Sequence, residues 1–132
     1  REPVPQASSR ENAERHDTLE VTVADSILND IKKALGITED YTAFDQEIIL
    51  HTNTALMFAE EIGLPSFKIT GKTETWGQYL NGVTKNVEAV KTYLYLQVRL
   101  VFDPPANSFV VTAIEKQLQE YAWRINLQKE TP

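Results

Sequence analysis

The stretch KTYLYLQVRLVFDPPANSF, residues 91–109, decides the fold of this chain. It has the length of a helix, and a double proline ends it. Apolar side chains cover most of the circumference of that helix, and only Lys91, Gln97 and Arg99 interrupt them. A helix that is apolar on most sides lies either at the centre of its own bundle or between subunits.

The flanking sequence predicts three further helices with apolar stripes at helical spacing. The predicted helices span residues 25–36, 43–62 and 85–102, and a last one begins at residue 107 or 108. The expected caps are Asp25 or Ser26 and Gly36, Thr42 and Gly63, Thr84 or Asn86, and Asn107 or Ser108. The side chains expected to face the core are Ile27, Leu28, Ile31, Ala34 and Leu35; Phe44, Ile48, Ala55, Leu56, Ala59 and Ile62; Val87, Val90, Leu94, Val98 and Val101; and Val111, Ile114, Leu118, Tyr121 and Ile125. This pattern predicts an all-α protein, a small bundle of about four helices with a long loop or short hairpin between the second and third main helices.

The connection at residues 64–84 differs in character from the helices. Phe67 and Ile69 alternate with polar residues, which favours a short strand or an extended loop. Trp76, Tyr79 and Leu80 are spaced for one helical turn before a glycine. A long connection with exposed aromatic residues is typical of a functional loop, so Phe67, Trp76 and Tyr79 are candidate interface residues. The alternative for Trp76 is that it caps the core.

Residues 1–22 contain two prolines, many charges and few apolar side chains. Such a composition favours a flexible N-terminal arm or a non-native extension. An alternative is that translation starts at Val23. In either case residues 23–132 form the helical domain.

Composition narrows the possible functions. The net charge of -6 argues against tight nucleic-acid binding, which requires a basic surface. The absence of cysteine excludes disulfides and thiol catalysis. No apolar run is long enough for a membrane span, and a soluble protein is expected.

No residue pattern predicts catalysis. His51 is a lone helical histidine without an evident partner, and GKTET at residues 71–75 lacks the glycine that a phosphate-binding loop places upstream. We therefore expect neither an enzyme nor a cofactor or metal site.

Four charged or aromatic residues outside the loop are candidate contacts. Arg99 and Asp103 are spaced to form an ion pair, or alternatively a contact between subunits. Trp123 and Arg124 point away from the stripe of the last helix and belong to residue types enriched at interaction hot spots.

Two segments carry a resemblance to a known family. DSILNDIKKALGITEDYTAFDQEIILHTN and AVKTYLYLQVRLVFDPPANSFVVTAIEKQLQEYAWRIN resemble the head-tail connector (adaptor) proteins of long-tailed bacteriophages, over roughly residues 24–128. The resemblance implies a ring of about twelve copies beneath the portal protein, which needs a heterologous interface that closes. It further implies a location in the virion neck after synthesis in the bacterial cytoplasm, docking of a stopper or tail-completion protein, and DNA passing through without sequence-specific binding. The loop at residues 64–84 and the last helix would then contact the portal and neighbouring subunits.

A different class of function remains open at this point. A small helical regulator or adaptor could bind a protein partner through the same C-terminal helix. Incorporation into phage particles separates the two hypotheses.

Overall fold

The computed structural model describes residues 26–129 of the chain, and these residues form five helices and no strand. The helices are α1 (Ile27–Ala34), α2 (Asp45–Glu61), the single turn α3 (Trp76–Tyr79), α4 (Val87–Phe102) and α5 (Ser108–Lys129). The predicted all-α bundle is confirmed. The predicted arm at residues 1–22, the alternative start at Val23 and the candidate cap Asp25 lie outside the described residues.

Helix α4 is the central helix of the bundle, which explains its apolar circumference. It packs against α2 on one side and against α5 on another. Its buried side chains are Val90, Tyr93, Leu94, Leu96 and Val98. Val101 was predicted to belong to this stripe, but it lies in the last turn of α4 and is exposed.

Helix α1 has the predicted start and end. The Ser26 hydroxyl accepts a hydrogen bond from the Asn29 amide at 3.2 Å, and Gly36 has the positive φ (86°) that favours glycine after a helix. The prediction that Ala34 faces the core is wrong, because its side chain is exposed. Lys32 lies on the inner side instead, with only 1% of its surface accessible.

The buried Lys32 connects α1 to the start of α2. Its Nζ donates a hydrogen bond to the Glu39 carbonyl oxygen at 3.0 Å and lies 2.8 Å from Oδ1 of Asp45. The contact with Asp45 lacks the alignment of a good hydrogen bond, so it acts mainly through charge. The pair fixes the turn between the two helices.

The start of α2 differs from the prediction. The helix begins at Asp45, two residues later than expected, and Thr42 supplies no side-chain cap. Phe44 was expected in the core, but it precedes the helix and is exposed, and its ring contacts Phe102 edge-on at 5.4 Å.

Asn53 on α2 holds the extended part of the following connection. Its Nδ2 donates to the Ile69 carbonyl oxygen at 2.9 Å, and its Oδ1 accepts from the Ile69 amide at 2.8 Å. Both backbone groups of one buried residue are thus satisfied by a single side chain. A strand partner is unnecessary, and of the two forms predicted for this connection, a long loop or a short hairpin, the long loop is the one found.

Replacing Asn53 with alanine is expected to lower the free energy of unfolding by about 1–3 kcal/mol, because it leaves two partly buried backbone groups unpaired. Thr54→Ala is the matched control, since the Thr54 hydroxyl bonds only to the Leu50 carbonyl of its own helix. Urea unfolding of both variants gives the comparison. Equal stability of the two variants would contradict the role assigned to Asn53.

The carboxylate of Glu74 closes the turn that precedes α3. It accepts hydrogen bonds from the Thr70 hydroxyl at 2.7 Å, the Thr70 amide at 3.0 Å and the Gly71 amide at 3.3 Å. Partial burial opposes its charge, but these hydrogen bonds outweigh that effect and hold the pKa of Glu74 below its ordinary value. The Glu74 carbonyl also accepts from the Ile27 amide at 3.1 Å, which ties the turn to α1.

Stability should therefore depend on pH through Glu74. Because its folded-state pKa lies below that of the unfolded chain, ionised Glu74 stabilises the fold above its ordinary pKa of 4.5, and this contribution is lost as pH falls through the folded-state pKa. The difference in unfolding free energy between wild type and Glu74→Gln is expected to be constant near neutral pH and to shrink below pH 4.5. A difference that does not change with pH would show that charge is not what closes the turn.

Candidate assembly interface

Helix α5 leaves a large part of its surface uncovered because it packs on one side only, against α4. Its buried side chains include Ile114, Leu118 and Ile125, as the predicted stripe requires. On the uncovered side Trp123 exposes 61% of its surface, and Leu127 lies one turn further along. Arg124 is exposed as well and pairs with Glu120 at 2.7 Å. The prediction that Trp123 and Arg124 face away from the core is confirmed.

The opposite end of α5 presents a second apolar site. Asn107 caps the helix, since its Oδ1 accepts a hydrogen bond from the Phe109 amide at 2.7 Å. Phe109 then projects from the first turn with 85% of its surface exposed, next to the exposed Val110. Phe109 and Val110 together leave an apolar surface in contact with water at this end of α5.

The aromatic residues of the 64–84 connection lie inside the protein, contrary to the expectation of an exposed cluster. Trp76 is 3% exposed and Tyr79 is 1% exposed, and the half-buried Phe67 packs on Tyr79 with ring centroids 5.2 Å apart. Trp76 Nε1 donates to Asp30 Oδ2 at 2.8 Å, so the indole is anchored to α1. Burial, reinforced by Tyr93 and Glu60, raises the pKa of the Tyr79 hydroxyl. An interface role for Trp76 and Tyr79 stays a prediction, and it requires them to act by fixing the shape of the loop.

Arg99 and Asp103 line a groove that runs between α1 and α4. One part, of about 470 Å³, is lined by residues that include Trp76, Lys91 and Tyr95, and a second part, of about 270 Å³, is lined by residues that include Tyr95, Arg99 and Asp103. The two parts share Ala34 and Tyr95 and are therefore continuous. We call this the α1–α4 groove.

Charged side chains are distributed along the α1–α4 groove. Arg99 and Asp103 do not pair with each other, although the Asp103 amide donates to the Arg99 carbonyl at 2.9 Å. Lys91 lies over the Trp76 ring, with Nζ 5.5 Å from the centroid. Lys91 Nζ also lies 3.8 Å from the Glu88 carboxylate, and both Lys91 and Arg99 line the groove.

His51 has an ionisable neighbour. Its Nε2 lies 3.5 Å from the Glu47 carboxylate one turn away on the same helix. It lines a small cavity of about 60 Å³ together with Phe58, Gln97 and Val101 among others.

The predicted residues therefore fall into three places. Trp76, Arg99 and Asp103 meet at the α1–α4 groove, Phe67 and Tyr79 lie beneath the loop, and Trp123 and Arg124 occupy α5. Sequence reasoning did not single out the outward face of α2, where Leu50, Met57 and Phe58 are exposed. The sequence contains this signal in its helical spacing, because Leu50 and Met57 lie opposite Ile48 and Ala59, and Phe58 lies between the two sides.

Residues 27–132 match the model of a protein family described as phage connector protein. The chain belongs to the phage connector protein family. The match starts at the first residue of α1 and includes every helix described above. Searches of curated proteins and of solved structures gave no match.

Membership gives the chain a structural connector role in a bacteriophage particle. It confirms the family resemblance drawn from the two quoted segments. Within residues 26–129, no helix is long and apolar enough to cross a membrane.

Proposed function

We propose that the chain is a head-tail connector subunit that forms a ring under the portal protein, extends the DNA channel and docks the next head-completion or tail protein. The observation that carries this proposal is the family match over residues 27–132. In this proposal the chain acts as a structural component of the virion neck and not as an enzyme. The exposed apolar side chains of α5 and the negative net charge of the chain support the proposal.

The exposed apolar side chains support an assembled state. Trp123 and Leu127 near one end of α5 and Phe109 near the other leave apolar area in water that a partner would cover. Aromatic side chains and arginine dominate the energetics of protein interfaces. We assign two partners, the portal protein and the neighbouring subunits, to α5 and to the loop at residues 64–84.

The charge of the chain suits a DNA channel. At a net charge of -6, a ring of these subunits repels the phosphate backbone on average, so DNA passes without adhering. Sequence-specific contact would instead require a basic surface aimed at the grooves of the duplex.

The test is the copy number of the chain in purified phage particles from a host that carries the gene, measured by quantitative mass spectrometry. About a dozen copies per particle, as a closed ring of this kind requires, would support the proposal. Absence from particles while the protein is present in the lysate would overturn it and favour a cellular partner for α5 instead.

A further inference from the structure

The outward face of α2 forms an apolar stripe that no part of the described chain covers. Leu50 and Met57 expose 62% and 51% of their surface, and Phe58 lies beside them. Glu47 and Glu61, both exposed, stand at the two ends of this row. We call these five residues the α2 stripe: an apolar centre with a carboxylate at each end.

The α1–α4 groove has the complementary chemistry. Its floor is apolar and aromatic, formed by Ile31, Ala34, Trp76 and Tyr95. Three cations, Lys33, Lys91 and Arg99, line it. Of the two carboxylates that line it, that of Asp30 is already engaged by the Trp76 indole, and Asp103 lies at the far end. A third carboxylate, that of the exposed Glu88, lies 3.8 Å from Lys91 Nζ at the rim. In a chain with a net charge of -6, a groove lined by more cations than anions is a local exception that fits an acidic partner.

The two surfaces also match in length. Fourteen residues separate Glu47 from Glu61, which corresponds to about 21 Å along a helix. The α4 side of the groove runs from Lys91 to Asp103, about 18 Å by the same measure. A helix bearing the α2 stripe can therefore lie along the groove.

We infer that the α2 stripe of one copy docks into the α1–α4 groove of the next copy. This inference rests on the proposed function and adds a contact between neighbouring subunits to those proposed for α5 and the loop at residues 64–84. Leu50 and Met57 lie on the side of α2 opposite the buried Ile48 and Ala59, and none of the five stripe residues lines the groove, so one copy can use both surfaces at once. Contacts between two different surfaces propagate from copy to copy and close into a ring when the rotation allows.

Charge disfavours the symmetric alternatives. Pairing two stripes would bring Glu47 and Glu61 against carboxylates of the same kind, and pairing two grooves would bring Lys91 and Arg99 against like cations. Juxtaposed like charges across an interface suppress association. The unlike pairing is the one in which opposite charges meet.

Charge reversal on each surface tests the inference in particles. The groove variant carries Lys91→Glu and Arg99→Glu, the stripe variant carries Glu47→Lys and Glu61→Lys, and each is supplied to a phage whose own copy of the gene is disrupted. Each variant alone is expected to reduce copies per particle about tenfold or more, because every interface then opposes like charges. When the two variants are supplied together, the total copy number per particle should return to the wild-type value, and each particle should contain equal amounts of the two variants. The stripe variant's lysines then meet the groove variant's glutamates, and the remaining interfaces carry wild-type residues on both sides.

The control reverses a charge elsewhere, with Lys85→Glu, an exposed residue outside both surfaces, outside α5 and outside the loop at residues 64–84. It is expected to leave the copy number unchanged. Circular dichroism and thermal unfolding of each purified variant separate a lost interface from a lost fold.

A second measurement does not depend on charge. The chain contains no cysteine, so Met57→Cys in one copy and Ala34→Cys in another, both exposed positions, supply the only thiols. Oxidation of particles that contain both variants should yield a disulfide-linked dimer, and particles with either variant alone should not.

Three results are distinguishable. Rescue by the mixture together with the mixed dimer supports the inference. Folded variants that assemble alone at the wild-type copy number, or fail even as a mixture without forming the mixed dimer, overturn it while leaving the connector function in place. Absence of the wild-type chain from particles overturns the proposed function itself.

Discussion

Replacing Asp45 with alanine is expected to lower the free energy of unfolding by about 3 kcal/mol, which is a large share of the stability of a domain of this size. The change leaves the ammonium group of Lys32 buried at 1% exposure with the Glu39 carbonyl as its remaining partner. A buried charge without a counter-ion is costly because the low-dielectric interior replaces little of its hydration. We expect the lower end of the range for broken buried pairs, since the Asp45 side chain is itself 22% exposed. Urea unfolding measures the loss.

Two variants separate the ion pair from other effects. Lys32→Met removes the buried charge and fills the same space with an apolar chain, so it should cost much less than Asp45→Ala. Glu47→Ala removes another acid from the first turn of α2, and it should cost only a few tenths of a kcal/mol as a helix-dipole effect. If Lys32→Met were as destabilising as Asp45→Ala, the packing of Lys32, and not its charge, would be what α1 requires.

Periodicity predicted the parts of the fold that depend on local spacing. The seam of α5 and the central position of α4 follow from apolar residues three and four apart, and they are found where the sequence places them. Helix starts that are capped by a side chain were predictable too, as at Ser26 and Asn107. The start of α2 was less so, because no side chain of the preceding turn caps it.

Burial of polar or aromatic residues in the connections could not be read from spacing. Lys32 looks like a surface residue until Asp45 and the Glu39 carbonyl come together around it, and that meeting depends on a tertiary turn. Trp76 and Tyr79 resembled an exposed cluster because their loop is polar, yet the loop folds inward through the bonds of Asn53 and Glu74. The same limit applies to the candidate interface, since the α1–α4 groove is built from residues distant in sequence.

Leu118 and Trp123 lie on the same helix but on opposite sides, so truncating each should have a different consequence. Leu118→Ala is expected to lower the free energy of unfolding by about 2–5 kcal/mol, because it removes a buried side chain from the contact between α4 and α5. Trp123→Ala is expected to change stability by no more than about 0.5 kcal/mol, as is usual for an exposed position. The measurement is urea unfolding of both variants under the same conditions.

Trp123→Ala is expected to impair assembly although it hardly affects the stability of the subunit. Trp123→Ala removes an exposed aromatic residue of the kind that dominates interfaces, so it should reduce copies per particle while the purified subunit unfolds like the wild type. Leu118→Ala should loosen α5 in the free subunit, and because α5 packs on α4 alone, amide exchange is expected to rise along α5 before it rises in α4. A Trp123→Ala subunit as unstable as Leu118→Ala would place the indole in the core. A Leu118→Ala subunit of full stability that fails to assemble would instead make the leucine side of α5 the interface.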